Sequence, residues 1–571
     1  MTGSDTYSDR YSGHDYPHTA TSRSPVIVAD DEFEAVSEGR IRIRIGATIF
    51  MIMLVIFGLR FAEVALLNKP VEDRFVPKAL TATRADIIDR EGEILATTLR
   101  SYSLYAEPRK IWNVEETADK LSQLLPGKSR EDLVAKLSSN KKFIWLERGM
   151  GPRQHQKIFD LGFPGLAFRV EPKRVYPLGQ LGSHIIGFAD RDLKGMAGVE
   201  RAFDGELSEP NAPAKALSLD LRVQHILSDE LSKGLEKFKA KSNSGIVLNI
   251  KTGEVLAMAS LPNYNLNDPG AFSDDFRYNH ASMSTYELGS VFKPITMAMA
   301  LEYNLTDLTE TFPVQDPLRI RGKTIRDDHP SKTPLAMPEI LAQSSNRGTA
   351  LMALRGGGEM QQAFLRDLGL MDRLPLEILE SARPQVQSEW QDITTVTVSY
   401  GHGISVTPLA LSAAIGALLN GGHYIVPTFS KRDAVNLPRM RRVISDKNSQ
   451  IIRDLMRYVV TDGTGRNAAV RGYRVMGKTG TADKPAIGGY DEDRLVSSFV
   501  AALPYEDPHY LVMVTYDEPK AVEGTRGYAT AGWNAAPTVQ KVIERMGPVL
   551  GLKRNAPQQA LSPFSKQGAL R

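Results

Sequence analysis

Cysteine is absent from this 571-residue chain. That excludes disulfides and thiolate metal sites outright. It does not fix a compartment, because an exported protein can do without thiols. The ten histidines are scattered and form no HExxH-like pair, so neither a metal nor another cofactor is expected. No large excess of one charge sign exists: the formal net charge is +3. No basic run with interleaved aromatics occurs either, which argues against a nucleic-acid partner. Internal repeats are also missing. What remains is the composition of a folded protein, 42% hydrophobic and 24% charged. The chain is too long for one ordinary core, so two or more domains are expected.

Residues 1–40 are polar and lack apolar periodicity, which predicts a disordered tail. Arg40, Arg42 and Arg44 then alternate with isoleucines, and Ile45–Leu59 is apolar without a charge. A span of hydrocarbon takes ~20 residues. Phe61 to Leu67 extend the run if Arg60 snorkels or faces a partner helix. A cleaved signal peptide fits less well, since the polar lead is long and no Ala-x-Ala site follows. The expectation is one membrane helix over 41–67, with the N-terminus cytoplasmic and the bulk outside.

Residues 68–215 read as a mixed module. Arg84–Ala96 has the pattern strand, charged turn, strand, and residues 114–138 carry helical periodicity. Pro210 and Pro213 mark a joint. Over 216–550 the pattern runs helix (220–240), strands (244–250 and 254–259), a mostly helical middle, strands again (494–503 and 510–516), then a helix at 533–546. That order predicts an α+β domain whose sheet draws on both ends of the segment. Residues 551–571 read as a flexible polar tail.

Three short motifs follow one another in the second domain. Ser290-Val291-Phe292-Lys293 opens a helix-like run after Gly289. A serine there has its amide near the positive end of the helix dipole, and a lysine at i+3 can reach its hydroxyl. As a base that lysine must be neutral, which calls for burial and a second cation, for which Lys478 is the candidate. Ser344-Ser345-Asn346 follows a short helical stretch; a hydroxyl there can relay a proton, and an amide can fix a peptide group. Lys478-Thr479-Gly480-Thr481 follows an extended segment. Lys478 and the threonine hydroxyls could bind a carboxylate, and Gly480 would let substrate approach the strand. The amides of Ser290 and Thr481 could form an oxyanion hole. Each motif alone is matched by an ordinary helix start, an N-cap or a strand end. Decoys exist too. Ser138-Ser139-Asn140-Lys141-Lys142 sits between periodic segments and reads as a solvated turn. Lys251-Thr252-Gly253 reads as a turn between two strands. His402, between two glycines, reads as structural.

The ordered set resembles that of the penicillin-binding proteins and serine β-lactamases. The match extends to Tyr286–Pro294, Leu341–Asn346 and Gly401–Leu409, which resemble class B penicillin-binding proteins, and to Arg84–Ala96 with Gly198-Val199-Glu200, which resemble that family's non-catalytic module. Ser345 stands where many relatives have Asp, and Leu288 where Pro is common. The resemblance implies a transpeptidase fold of a sheet flanked by helices, an elongated α+β module before it, and a single membrane helix. It also implies a peptidoglycan D,D-transpeptidase of the division-specific, FtsI type. Ser290 would be the nucleophile, Lys293 and Ser344 its catalytic partners, and Asn346 and Lys478–Thr481 the substrate-binding residues. Stem peptides and their lipid-linked precursor would be substrates, and β-lactams inhibitors. An FtsW-type polytopic glycosyltransferase and other division proteins would be partners, at the septum of a bacterial inner membrane with the catalytic domain periplasmic. An elongation-specific relative and a division scaffold or penicillin sensor are the alternatives. A β-lactamase would need a deacylating glutamate; Glu377 and Glu380 fall in the relevant stretch, but on what reads as a helix face. Purified protein mixed with a fluorescent penicillin is therefore expected to keep its label for far longer than mixing takes, whereas rapid loss of label would mark a lactamase.

Overall fold

The computed structural model describes residues 31–62, 84–433, 439–486, 489–554 and 564. Most of the predicted N-terminal and C-terminal tails, and residues 63–67 of the predicted membrane segment, lie outside these. The chain divides into two units, residues 1–77 and 78–571.

In the first unit, helix α1 runs over Asp31–Ala62. The apolar side chains from Ile45 to Leu59 are exposed. Among the described residues no helix is long and apolar enough to cross a membrane. The expected span of 41–67 runs on into residues 63–67, outside the described residues. The uncharged run of 45–59 covers only about 22 Å at 1.5 Å per residue, short of the roughly 30 Å of hydrocarbon.

The second unit begins with a small sheet. Strand β1 (Ile87–Ile88) pairs antiparallel with β2 (Ile94–Ala106) across the charged turn the sequence announced. Asp89 closes that turn by accepting from the amides of Glu91 and Glu93. The periodic stretch 114–138 is two helices, α2 (Val114–Leu124) and α3 (Arg130–Leu137), because Pro126-Gly127 interrupts it. Asn113 and Ser129 cap their N-termini. Strands β3 (Ile144–Met150) and β4 (Leu166–Val175) complete one face, and Leu104, Leu121, Leu133 and Leu146 pack beneath the helices. Strand β5 (Lys215–Ala216) pairs parallel with β1, so the chain leaves this module through its own sheet rather than through a free linker.

A buried charge cluster locks the module. Glu200 is fully buried and takes Arg84 at 2.5 Å and Arg174 at 2.7 Å on its two oxygens. Arg84 also donates to Asp204 and to the carbonyls of Leu193 and Glu200. Asp89 then reaches forward to accept from the amide of Leu221, the first residue of the next domain's opening helix.

That helix, α4 (Leu221–Phe238), is capped by Asp220. It packs on a five-stranded antiparallel sheet built from β6 (Ser242–Asn249), β7 (Val255–Leu261) and three strands from the far end of the chain. Between them in sequence come the helices α5 (Lys293–Glu302), α6 (Met337–Gln343), α7 (Asn346–Asp367), α8 (Pro408–Leu419) and α9 (Asp446–Thr461). Strands β8 (Met476–Ala486), β9 (Gly489–Leu503) and β10 (Tyr510–Asp517) follow, then α10 (Ala535–Val549). The order across the sheet is β8-β9-β10-β6-β7, which places β8 on an edge. Both faces are covered. Val247, Val512 and Val514 enter one core with α4 and α10, while Ile246, Leu248, Leu511 and Met513 enter the other with α5 and α8. Side-chain alternation along each strand separates the two sets, and two buried faces explain why these strands read as unbroken apolar runs. Helix α8 is buried on every side.

Glu200→Ala would leave the buried Arg174 guanidinium without its counter-ion and Arg84 with Asp204 alone. It is expected to cost about 3 kcal/mol or more of stability, measured as a fall in the urea midpoint of the full-length chain, with Glu200→Asp recovering part of the loss.

Candidate active site

The sequence around Ser290 builds a 3₁₀ turn, Gly289–Phe292, which runs directly into α5 with Pro294 in its first turn. Pro is tolerated there because its missing N–H has no intrahelical partner to lose. Val291, Phe292 and most of α5 are buried, so the turn is anchored by its apolar side while Ser290 stays half-buried. Gly289 has φ +59°, and a Cβ there would lie 2.7 Å from the carbonyl oxygen of Thr481. Its amide donates to the carbonyl of Gly401 at 3.2 Å. The Ser290 turn therefore presses against the backbone of β8.

Lys478-Thr479-Gly480-Thr481 lies within β8, not at a strand end. The strand continues to Ala486 and pairs with β9 over its whole length. Lys478, Gly480 and Ala482 share one face by alternation, and that face meets the Ser290 turn. A Cβ on Gly480 would sit 2.4 Å from the carbonyl oxygen of Leu288 and 3.0 Å from Val291. The glycine is required by the fit of strand against turn. This packing reason stands beside the expectation that the glycine makes room for substrate. The threonine hydroxyls are engaged within the protein. Thr479 Oγ1 pairs with Thr464 Oγ1 at 2.8 Å and accepts from Lys478, and Thr481 Oγ1 accepts from the amide of Ala531.

Three of the predicted residues converge. Lys293 Nζ donates to Ser344 Oγ at 3.0 Å and to the Ser344 carbonyl. Lys478 Nζ donates to the same hydroxyl at 3.1 Å. Both lysines are fully buried. Ser344 ends α6 in the left-handed region, at φ 62°, an uncommon conformation for a serine and one that turns the chain sharply into α7. Ser290 sits one turn before Lys293, and no hydrogen bond joins their side chains among the described residues. Asn346 opens α7 and its amide donates to the carbonyl of Arg326 at 3.1 Å. Ser345 caps the helix by accepting from the Gly348 amide.

Burial takes the Lys293 amine from the usual lysine value near 10.5 down to about 7, against the opposing pull of Asp327 and then Asp328. Burial and then the charge of Lys293 push Lys478 well below its usual value. Burial is the first cause at both amines, and the two adjacent cations titrate as one unit.

Asp327 is the residue that sequence reasoning missed. It accepts from Ser345 Oγ at 2.7 Å and from the amides of Asn346 and Arg347 at 2.6 and 3.0 Å. It holds the start of α7, and its charge is the first to oppose the lowering at Lys293. It lies in a charged loop, Arg326-Asp327-Asp328-His329, that reads as solvated, and no spacing ties it to the motifs. Arg347 adds a second tie, donating to the carbonyls of Val314 and Gln315.

Glu377 and Glu380 serve elsewhere. Glu377 accepts from Thr428 Oγ1 and the amide of Phe429, and Glu380 from the amide of Gly198. Their stretch is a bend rather than the expected helix face, with Pro375 and Pro384 flanking it. The decoys lie where expected. Ser138 ends α3 in an exposed patch. In the second, Lys251 and Thr252 donate their amides to Asn249 in the turn between β6 and β7. His402 is mostly buried; its amide donates to the Thr397 carbonyl, and burial lowers its pKa, so the imidazole is neutral at pH 7.

Comparison with known proteins agrees with this geometry. The penicillin-binding protein transpeptidase domain matches residues 244–544, and the penicillin-binding protein dimerisation domain residues 79–209. A probable peptidoglycan D,D-transpeptidase FtsI of Caulobacter vibrioides is 39% identical, over 88% of each chain. A probable peptidoglycan D,D-transpeptidase PenA of Neisseria gonorrhoeae is 31% identical, over 92% of this chain and 95% of the relative. The peptidoglycan D,D-transpeptidase FtsI of Escherichia coli K12 is 29% identical, over 77% and 80%.

If neutral Lys293 is the base, penicillin acylation is expected to rise with pH and level off above about 7, because the amine must lose its proton first. Stopped-flow acylation across pH 5.5–9 checks this, and a flat profile would contradict it. Gly480→Ala is expected to slow acylation by roughly tenfold or more, since a shift of the strand misplaces the site; the rate constant for penicillin labelling of the folded variant is the measurement. The turn, the paired lysines and the matched domains together place the chain among the class B penicillin-binding proteins of FtsI type.

Proposed function

We propose that the protein is a serine D,D-transpeptidase that crosslinks peptidoglycan stem peptides during septum formation. The observation that carries this is the meeting of two buried lysine amines at one serine hydroxyl beside the Ser290 turn. Two cations in that arrangement are costly unless a proton is missing, and a missing proton makes one amine a base.

Ser290 Oγ attacks the carbonyl of the penultimate D-alanine and passes its proton to Lys293 Nζ. The C–N bond to the last D-alanine breaks, and that amine leaves with a proton relayed through Ser344. The amine of a neighbouring stem peptide then attacks the ester on Ser290, loses its proton to the same base system, and returns the serine to its starting state. The amides of Ser290 and Thr481 hold the oxyanion. Lys478, with Thr479–Thr481, orients the donor's terminal carboxylate, and Asn346 its peptide group. A β-lactam enters by the same attack and stays as a stable ester. The relatives named FtsI support the division assignment.

In this reading residues 1–40 are a cytoplasmic tail, 41–67 cross the inner membrane, 68–215 form a non-catalytic pedestal, 216–550 the periplasmic transpeptidase, and 551–571 a tail. The arginines before Ile45 and the uncharged run after it support the topology. The pedestal and the membrane helix meet an FtsW-type glycosyltransferase, which supplies the glycan strands. The test is complementation. In cells depleted of the native protein, Ser290→Ala is expected to be made and inserted yet fail to support septation, and normal division with that variant would refute the catalytic role.

A further inference from the structure

Residues 279–289 run into the Ser290 turn as a strap, and Asn279 and Ser282 within it are buried. The Gly401–Leu409 segment holds one side of this strap. The Leu409 amide donates to the Ala281 carbonyl at 3.0 Å, and Tyr286 and Val406 bond to each other through both amides. The other side meets residues of the stretch matched by the dimerisation domain. There Asn279 Nδ2 donates to the His184 carbonyl at 3.4 Å.

Glu380 makes a second link between the two. Its Oε1 accepts from the Gly198 amide at 3.2 Å, and its own carbonyl accepts from Ser282 Oγ at 2.5 Å. The Ser282 carbonyl in turn accepts from the Ala382 amide at 2.9 Å. Gly198 opens the short helix Gly198–Ala202, which also carries Glu200 of the buried charge cluster. The module's own charge lock therefore places the Gly198 amide, and Glu380 passes that placement to Ser282. Other ties between module and transpeptidase domain end elsewhere, Asp89 on Leu221 and Tyr176 on Asn267.

Stability alone does not account for a carboxylate at this place. Glu380 Oε2 is buried without a hydrogen-bond partner, and no cation pairs with the group among the described residues. Its charge reaches Tyr264, whose phenol is held above its usual range by burial first and then by Glu380, against Arg277. A buried acceptor left unpaired costs stability. Such a group calls for a reason other than the strength of the fold.

We propose that Glu380 is a positioning residue for acylation: it registers the strap ahead of Ser290 against the module, so that the non-catalytic module takes part in aligning the reacting serine. The proposal rests on the transpeptidase reading above. Reach is the property that matters, because the bond runs to a neutral amide. Glutamine keeps the reach and loses the charge. Aspartate keeps the charge and, one methylene shorter, loses the reach.

The experiment uses the full-length chain in detergent and stopped-flow labelling by fluorescent penicillin. It reads the rate constant at saturation, the penicillin concentration at half that rate and the fraction labelled, with the urea midpoint of each variant alongside. Glu380→Gln is expected to stay within about twofold of the parent in the rate constant. In Glu380→Asp and Glu380→Ala that constant is expected to fall roughly tenfold, because a small misplacement of a reacting group slows attack steeply. The half-saturating concentration is expected to stay within about twofold, since no group that holds penicillin has changed. The pH dependence of the rate is expected to keep its midpoint, since Lys293 is untouched. Ser282→Ala is expected to slow the same constant severalfold, and the Glu380→Ala, Ser282→Ala double variant no further than the slower single one. A lower urea midpoint or labelled fraction with an unchanged rate constant in the Asp and Ala variants would leave Glu380 a part of the fold only and overturn the proposal. A slow Gln variant beside a parent-like Asp variant would show a charge effect, and additive losses in the double variant would remove Ser282 from the route; either overturns it as well. Absence of penicillin labelling in the parent protein would defeat the transpeptidase reading itself, a separate result.

Discussion

The structure is organised around the burial of two ammonium groups against one hydroxyl. Lys293 and Lys478 come from a helix and an edge strand far apart in sequence, and both donate to Ser344 Oγ. Removing two such groups from water costs several kcal/mol each if both stay charged. Lowered pKa values are the physical response, so the pair is best regarded as one titrating unit that holds fewer protons than two free lysines would. Everything nearby serves that arrangement. Asp327 supplies the counter-charge, Ser344 bends into a strained backbone to offer both its hydroxyl and its carbonyl, and three glycines let the carrying elements touch.

Those glycines show how geometry follows from sequence at this site. Gly289 and Gly480 are required where the Ser290 turn and β8 meet backbone to backbone. Gly401 closes the third side: with φ +83°, a Cβ there would fall 2.2 Å from the carbonyl oxygen of Gly289. The Gly401–Leu409 segment therefore belongs to the active site through packing. Val406 reinforces this by exchanging backbone hydrogen bonds with Tyr286, just ahead of the Ser290 turn.

Local features were legible from sequence, and convergent ones were not. The apolar residues after Ser290 announced α5, and the strands near 246, 498 and 513 announced a sheet fed by both ends of the domain. The turn at Lys251-Thr252-Gly253 was separable from the true motif because strands flank it closely. Strand β8 was underestimated, since its later half, Asp483–Ala486, is polar and gains its regularity only by pairing with β9. Asp327 was invisible because its importance comes from a contact with residues 18 to 20 positions away, made across a loop with no periodicity. At Gly480 a strand pattern shows that a side chain is missing, and only the fold shows that the Leu288 carbonyl and Val291 lie where it would be.

The edge position of β8 connects these points to the chemistry. A strand inside the sheet would have both backbone sides paired, and its lysine would face a closed core. On the edge, one side of β8 pairs with β9, the other has no strand partner among the described residues, and the Ser290 turn packs on the Gly480 face of the strand. An extended peptide can align along such an edge through main-chain hydrogen bonds. In the proposed reaction this places a scissile carbonyl beside Ser290 without needing a deep pocket. Exposed edges also invite unwanted strand pairing. Here the turn on one face, the burial of Lys478 and the polar later half of the strand confine the accessible stretch to a few residues, which restricts the edge to short extended ligands such as a stem peptide.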